Sequence, residues 1–256
     1  RYAQIFDKNI KMLNNGYQGD YLIAIAQNLK KFRSDELYED DEEIKSLLEN
    51  ENEDAEKHTD QVIDSIKSKL SDEFSYVRDF ALREILELIK EDLSEFGVDH
   101  NHWFSESELY KSEPYDLSKV DQSIEELSSK GFVYEKEGAI WFKSSELGDD
   151  KDRVLKRSNG EFTYFASDVA YHLDKYDRGY DRIINIWGSD HHGYLPRVKA
   201  AMEASKKNVE KLEVVFIQFA NLIRAGKKVT MSTRSGEFIT LKELIEEVTS
   251  EAARFF

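Results

Sequence analysis

One segment combines a glycine with several side chains that could contact a ligand. Gly188, Asp190, His191 and His192 follow a short apolar run over residues 182–187 and precede a helical pattern that starts at Arg197. The order predicts strand, turn and helix, and α/β proteins bind ligands where a strand ends and the next helix begins. Gly188 lets a planar ring approach the backbone because it has no Cβ. Asp190 can accept hydrogen bonds from ribose hydroxyls, and the histidines are near neutral at pH 7. The segment therefore favours a nucleotide or substrate site.

The same residues allow other interpretations. The triplet Asp190-His191-His192 occurs in metal-dependent phosphoesterases, where it ligates metal. Ser189 and Asp190 are also good helix-capping residues. A histidine beside a turn can simply be a hydrogen-bonded part of the core. The segment alone leaves these alternatives open.

A second segment, residues 163–172, places Tyr164, Asp168 and Tyr171 near one helical face, because they are four and three residues apart. A carboxylate beside a phenol suits a cationic group. A guanidinium presents a planar fork of donors that a carboxylate can accept bidentately. The alternative is an ordinary amphipathic helix that carries a polar pair.

A third segment, residues 227–236, is basic and rich in small residues. Cations there could neutralise a pyrophosphate as it leaves. The alternative is a solvated surface loop.

The elements that would position these side chains fall into two regions. Residues 1–95 are mostly helical in pattern, with apolar stripes at helical spacing. From residue 96 the pattern alternates between strands and helices, which predicts a parallel or mixed α/β sheet. The predicted helices are 21–32, 54–70, 79–93, 117–130 with Gly131 just past its end, 164–176, 197–206 and 240–248; the predicted strands are 98–104, 182–187, 214–219 and a hairpin over 132–142 that turns at Glu137-Gly138.

Composition excludes several classes of protein. The chain has 256 residues, a net charge of −16 and no cysteine. The absence of cysteine excludes disulfides and thiolate metal sites and fits the cytoplasm. The acidity disfavours a nonspecific nucleic-acid binder, because neutralisation of phosphates dominates that binding. No run of 18 apolar residues is present, so we expect no membrane span.

Taken in this order, the three segments resemble the catalytic domain of class I aminoacyl-tRNA synthetases, specifically the arginyl-tRNA synthetase family. The resemblance covers nearly the whole chain and includes segments 96–107, 138–142, 154–155, 178–181 and 247–256. It implies an α/β fold that is part of a class I Rossmann-like nucleotide-binding catalytic domain. Residues 1–95 would form a mainly helical insertion region, and residues 96–256 would form the second part of the Rossmann-like domain.

The resemblance also implies roles for single residues. Tyr164 and Asp168 would hold the guanidinium of arginine, with His192 lining the same site. The ATP-binding residues would be Gly188, Asp190, His191, Met231 and Ser232. The catalytic residues would be Ser232 and Arg234, in a loop that closes on the ATP phosphates.

The chain departs from the family pattern at two places. Thr230 and Thr233 stand where the loop signature Lys-Met-Ser-Lys-Ser has its lysines, and the chain contains no tetrapeptide like the first signature, His-Ile-Gly-His. We therefore expect a piece from inside the catalytic domain, without the first signature region and the anticodon-binding domain. By itself such a piece would be inactive.

The function implied by the resemblance is that of an arginine–tRNA ligase. This enzyme uses ATP to form arginyl-adenylate and transfers arginine to the 3′ end of its tRNA. Arginine, ATP and tRNA(Arg) would be the partners of a cytoplasmic monomer, with no membrane partner. Mg²⁺ would arrive with ATP, with no tightly bound protein metal. Two alternatives remain: a metal-dependent phosphoesterase built on Asp190, His191 and His192, or a catalytically silent binding fragment.

Overall fold

A computed structural model describes residues 1–13, 16, 18–49, 54–112, 116–218, 220–229 and 238–255. These residues form two compact units, one from Arg1–Asn101 with Leu222–Phe256 and the other from His102–Asn221. Within the described ranges, no helix is both long and apolar enough to cross a bilayer. The division after residue 95 into insertion and catalytic regions concerns functional parts of the chain and stays a prediction.

The first unit is largely helical. Its core is formed by Ile25, Leu29 and Phe80, which lie on the apolar stripes that predicted the helices. Asp54 begins one helix by accepting hydrogen bonds from the amides of Glu56 and Lys57. The elements of this unit are α1 (Tyr21–Arg33), α2 (Glu42–Glu49), α3 (Ala55–Leu70), α4 (Asp72–Glu95), α8 (Leu241–Val248), α9 (Ser250–Phe255) and the two-residue strands β6 (Ile223–Arg224) and β7 (Lys227–Lys228).

The second unit mixes helices with two sheets. Strands β1 (Val133–Lys136), β2 (Ala139–Phe142) and β3 (Arg153–Lys156) form an antiparallel sheet in that order, and β4 (Ile183–Gly188) pairs in parallel with β5 (Leu212–Ile217). The core packs between these sheets and the helices, around Leu127, Phe142, Leu155, Val169 and Val198. The helices of this unit are α5 (Lys119–Ser129), α6 (Tyr164–Asp177) and α7 (Leu195–Ala204).

The turn chemistry agrees with two predictions. Gly131 follows α5 at φ +83°, and the amides of Gly131 and Phe132 donate to the carbonyls of Ser128 and Leu127. This pair of bonds is the Schellman arrangement that ends many helices. The hairpin turns at Glu137 and Gly138, which both have positive φ, as two-residue hairpin loops require.

The predicted strand over residues 98–104 is wrong. The amide of Val98 donates to the carbonyl of Leu93, and the amide of Gly97 donates to that of Ser94. Because Val98 is used to end α4, the segment leaves the helix as an irregular stretch instead of starting a ladder.

Candidate active site

The site is built where β4 ends. Gly188 is the last residue of β4, a 3₁₀ turn follows over Ser189–Tyr194, and α7 begins directly afterwards with Pro196 in its first turn. The predicted order of strand, turn and helix is confirmed. The positions before the 3₁₀ turn and α7 are Gly188 and Tyr194, so the interpretation of Ser189 and Asp190 as helix caps is wrong.

An open cleft of about 710 Å³ lies against this turn. Asp190 and His191 are on its wall, with Oδ2 of Asp190 3.6 Å from Nε2 of His191, and both side chains are more than half exposed. The cleft is lined by Gly148, Asp149, Asp150, Asp190, His191, Gly193, Tyr194, Pro196 and Arg197.

Asp168 reaches this region from α6. Its carboxylate accepts a hydrogen bond from the hydroxyl of Tyr194, which lines the cleft. Burial raises the pKa of Asp168, and the bond from Tyr194 opposes that effect. The pKa of Tyr194 is also raised, first by burial and then by the neighbouring carboxylate. The phenol that contacts Asp168 is therefore that of Tyr194.

Aromatic neighbours hold the ring of Tyr194. Phe165, Trp187 and His191 approach it edge to face, at centroid distances of 6.3, 5.9 and 6.5 Å. The guanidinium of Arg197 lies over the ring, 4.8 Å from its centroid. The Tyr194 hydroxyl that contacts Asp168 thus belongs to a ring packed against three aromatic side chains and one guanidinium.

A buried polar chain fixes α6 against β4 behind the site. His172 Nδ1 lies 2.7 Å from the carbonyl oxygen of Asp168, and the amide of Asn185 on β4 is 2.8 Å from His172 Nε2. Since a carbonyl only accepts, Nδ1 carries the proton and Nε2 accepts from Asn185. Lys175 then donates to the Asn185 side-chain oxygen at 2.8 Å. Burial, followed by the charge of Lys175, lowers the pKa of His172 to about 4, so this histidine is neutral.

An ion pair also borders the cleft, because Asp149 lines it and pairs with Arg153. Arg153 donates to both oxygens of the buried Asp149, at 2.7 and 3.0 Å. Burial alone would raise the pKa of Asp149, but the bonds from Arg153 and from the backbone amide of Asp150 outweigh it and bring the pKa to about 2. Asp149 therefore stays ionised and places a negative charge at the wall of the cleft.

The remaining predicted residues are spread around this centre. Tyr164 is 85% exposed on the first turn of α6. His192 stacks on Phe216 of β5, with centroids 3.6 Å apart. Gly188 pairs with Ile217 of β5. Met231, Ser232 and Arg234 lie outside the described residues, as do Thr230 and Thr233.

Three residues of the site were not predicted: Tyr194, Asp149 and Arg197. Tyr194 and Arg197 lie close to Asp190, His191 and His192 in the sequence, but helical spacing does not connect them to Asp168. Asp149 lies in a Gly-Asp-Asp stretch that carries no recognisable signal. Within the described ranges, no three histidine or acidic side chains are grouped as a metal site. The phosphoesterase alternative therefore has no ligand set in that part of the chain.

Comparison with known proteins decides the family. The family model for the catalytic domain of class I tRNA synthetases of the arginine (R) type matches residues 16–255. The chain belongs to this family. The fold is accordingly the mixed α/β fold of a class I catalytic domain, as the resemblance implied.

Individual members of the family agree with the assignment. An arginine–tRNA ligase of Hydrogenovibrio crunogenus is 50% identical and is matched over all of this chain and 44% of its own length. One from Vesicomyosocius okutanii is 47% identical, over 95% of this chain and 42% of its own. A crystal structure of a putative arginyl-tRNA synthetase from Campylobacter jejuni has a TM-score of 0.72 and 31% identity, over 98% of this chain and 47% of that one.

The chain therefore spans less than half the length of the relatives that it matches. A Thermus thermophilus arginyl-tRNA synthetase, at 18% identity and a TM-score of 0.54, shares the fold. The activity, substrates and partners of a whole protein are taken up below as proposals.

Proposed function

We propose that this chain is part of an arginine–tRNA ligase, which activates arginine with ATP and transfers it to the 3′ end of tRNA(Arg). Membership of the family supports this proposal. The observation that carries it for this chain is Asp168: a half-buried carboxylate, held by Tyr194 beside a cleft of ligand size. A guanidinium is charged at every pH of interest, so it can stabilise a carboxylate whose charge burial has partly removed from water.

Within this function, Tyr164, Asp168 and His192 are proposed to bind arginine. Gly188, Asp190 and His191 are proposed to bind ATP, together with Met231 and Ser232. Ser232 and Arg234 are proposed to act on the phosphates. Two features support the division: Asp190 and His191 line the cleft at the end of β4, whereas Asp168 lies on a separate helix, α6, and contacts the cleft-lining Tyr194.

The chemistry needs positioning more than a protein nucleophile. The carboxylate of arginine would attack the α-phosphorus of ATP in line, so that a phosphoanhydride bond breaks and pyrophosphate leaves. Cationic groups would stabilise the charge that develops on the leaving group. Mg²⁺ would enter with ATP as part of the substrate. We also propose that the whole enzyme is a cytoplasmic monomer; the absence of cysteine from this chain agrees with the proposed location.

The test is kinetic and uses a chimera in which this chain replaces the matching segment of the Hydrogenovibrio crunogenus relative. Exchange of pyrophosphate into ATP is measured while arginine or ATP is titrated. We expect Asp168→Asn to weaken arginine binding by about 2–5 kcal/mol, or roughly 30- to 5,000-fold, with little change for ATP.

Asp177→Asn is the matched control, because Asp177 lies on the same helix, α6, and pairs with Lys207 at the surface. It should change neither affinity. Equal losses for arginine and ATP in Asp168→Asn would contradict the proposed role of Asp168. Exchange that proceeds as well with another amino acid would contradict the function itself.

A further inference from the structure

We propose that Tyr194 orients the carboxylate of Asp168 for a planar guanidinium and is thus a positioning residue for recognition of arginine. This inference rests on the proposed function and deepens it. The resemblance places one phenol, that of Tyr164, at the substrate. The structure puts a different phenol in contact with Asp168.

The side chains of Tyr194 and Asp168 are in direct contact. Tyr194 and Asp168 are 26 residues apart and come from the 3₁₀ turn after β4 and from α6, respectively. The Tyr194 hydroxyl donates to Oδ2 of Asp168. Both residues are half-buried, whereas Tyr164 is 85% exposed.

Packing restrains the Tyr194 ring. Three aromatic side chains lie nearly perpendicular to it, and one guanidinium lies over it. Among the described residues, Nε of Arg197 is enclosed without a hydrogen-bond partner. It lies 4.0 Å from Oδ2 of Asp149. Packing against Tyr194 and the charge of Asp149 therefore hold Arg197 in place, and Arg197 in turn covers the ring. A ring packed in this way has little freedom to swing its hydroxyl away.

Asp168 keeps free acceptor sites for a ligand. A carboxylate has about four acceptor sites, and Tyr194 occupies one of them on Oδ2. Fixing Oδ2 also fixes the plane of the carboxylate and the direction of Oδ1. A guanidinium fork needs that plane to be set, because its two donors meet a carboxylate in one geometry, whereas an ammonium acts as a point charge. A carboxylate that is oriented before the ligand arrives spares the ligand the cost of ordering it.

The kinetic test uses the chimera described above and removes the hydroxyl with Tyr194→Phe, which keeps the ring and its packing. A hydrogen bond to a charged group predicts an increase of about 10- to 100-fold in KM for arginine. KM for ATP should change by less than about twofold. Tyr176→Phe is the control, because the Tyr176 hydroxyl donates only to the Asn208 carbonyl, at 2.9 Å, away from the cleft. Tyr164→Phe tests the competing assignment, in which the phenol at the substrate is that of Tyr164.

The pH profile separates positioning from simple support of the fold. The Tyr194 bond lowers the pKa of Asp168 against the effect of burial. Its loss should therefore move the acidic limb of kcat/KM for arginine to higher pH. An unchanged KM and an unchanged limb in Tyr194→Phe would overturn the inference. Equal losses for arginine and ATP would also overturn it.

A measurement on the 256-residue chain itself keeps this inference separable from the proposed function. Carboxyl ¹³C titration by NMR reports on Asp168 directly, whether or not a chimera charges tRNA. Tyr194→Phe should raise the midpoint of the Asp168 titration, and Tyr176→Phe should not. If the midpoint stays where it is, Tyr194 does not hold Asp168. If the midpoint rises but the unmodified chimera fails to use arginine, the proposed function is wrong and the positioning contact stands.

Discussion

At the scale of single residues, the burial of the Asp168 carboxylate favours binding of a cationic ligand but lowers the stability of the fold. Burial raises the pKa of Asp168 above its ordinary value of 3.8, so the folded chain binds this proton more tightly than the unfolded chain does. The stability that this group contributes is complete below pH 3.8 and is lost as the pH rises, so at pH 7 the burial of Asp168 lowers the free energy of unfolding. Such a cost is typical of residues retained for function.

We therefore predict that Asp168→Asn leaves the free energy of unfolding at pH 7 equal to or greater than that of the unmodified chain. The amide removes the buried charge and can still accept from the Tyr194 hydroxyl. Urea denaturation at pH 7 measures this.

Asp174→Asn is the contrasting variant on the same helix. Asp174 accepts from Lys119 and Arg178. Burial would raise its pKa, but these bonds outweigh burial and lower it. The carboxylate thus contributes stability above pH 3.8, and its loss at pH 7 should cost about 1–3 kcal/mol. If Asp168→Asn is as destabilising as Asp174→Asn, the ionised Asp168 is not a cost to the fold.

A second prediction at this scale concerns His172. Its pKa falls from 6.5 in the unfolded chain to about 4 in the folded chain, first because of burial and then because of Lys175. The folded state resists protonation, so stability is complete above pH 6.5 and falls as the pH drops from 6.5 to 4. The loss is on the order of 3 kcal/mol at the acidic end.

His172→Asn should remove this dependence while lowering stability at pH 7, because Asn185 loses its partner. Denaturation midpoints between pH 4 and 7 provide the measurement. A slope that is equally steep in the variant would mean that other groups cause the loss.

The sequence predicted residues of the site unevenly. Asp168 and Asp190 stand in segments whose order resembles a known family, so they could be named. Tyr194 could not be connected to Asp168, because side-chain spacing relates residues only within one helix or strand. The contact depends on how β4 and α6 pack, and the hydrogen bonds of His172 and Asn185 fix that packing.

At the scale of elements, local signals succeeded where one segment satisfies its own backbone. The helices α1, α3 and α5, the hairpin turn and the capping box of α8 at Thr240 and Glu243 all follow from local chemistry. The strand over 98–104 failed because the amide of Val98 already belongs to the end of α4. The sequence predicted a parallel or mixed sheet but not the pairing of β4 with β5. The register of that pair depends on contacts between strands that a helix separates in the sequence.

One face of that parallel pair yields a prediction. Ile184 and Ile186 of β4 and Val215 and Ile217 of β5 share a face, and each is at least 45% exposed. Parallel sheets are usually covered on both faces, and a patch of this kind promotes association. We expect the isolated 256-residue chain to self-associate as its concentration rises.

Ile186→Thr combined with Ile217→Thr should shift sedimentation velocity profiles towards the monomer. The control is Ile223→Thr, because Ile223 is 70% exposed but lies outside this face, on β6. An equal effect of Ile223→Thr would show that general hydrophobicity, and not this face, drives the association.

At the scale of the whole molecule, the last helix of the chain, α9, contacts the end of α4. Arg254 donates to the carbonyls of Phe96 and Gly97, at 2.6 and 2.9 Å, across more than 150 residues. Gly97 has φ +77°, and a Cβ there would meet the Arg254 guanidinium at 2.4 Å. No periodicity in the sequence predicts such a contact. The grouping of residues 222–256 with 1–101 was therefore outside the reach of the sequence.

The two units have separate cores, and this leads to the last prediction. Leu29 belongs to the core of the first unit and Leu127 to that of the second, and both are at most 3% exposed. Replacing a buried leucine with alanine costs about 2–5 kcal/mol through lost burial and the cavity left behind. Cooperative opening follows contiguous packed cores, so each variant should weaken amide protection mainly in its own unit.

Hydrogen exchange followed by mass spectrometry resolves the two sets of peptides, and Leu88→Ala, at a residue of α4 that is 46% exposed, serves as the surface control. If Leu127→Ala lowers the protection of α1 and α4 as much as that of α5 and α6, the two cores unfold as one, and stability belongs to the chain as a whole.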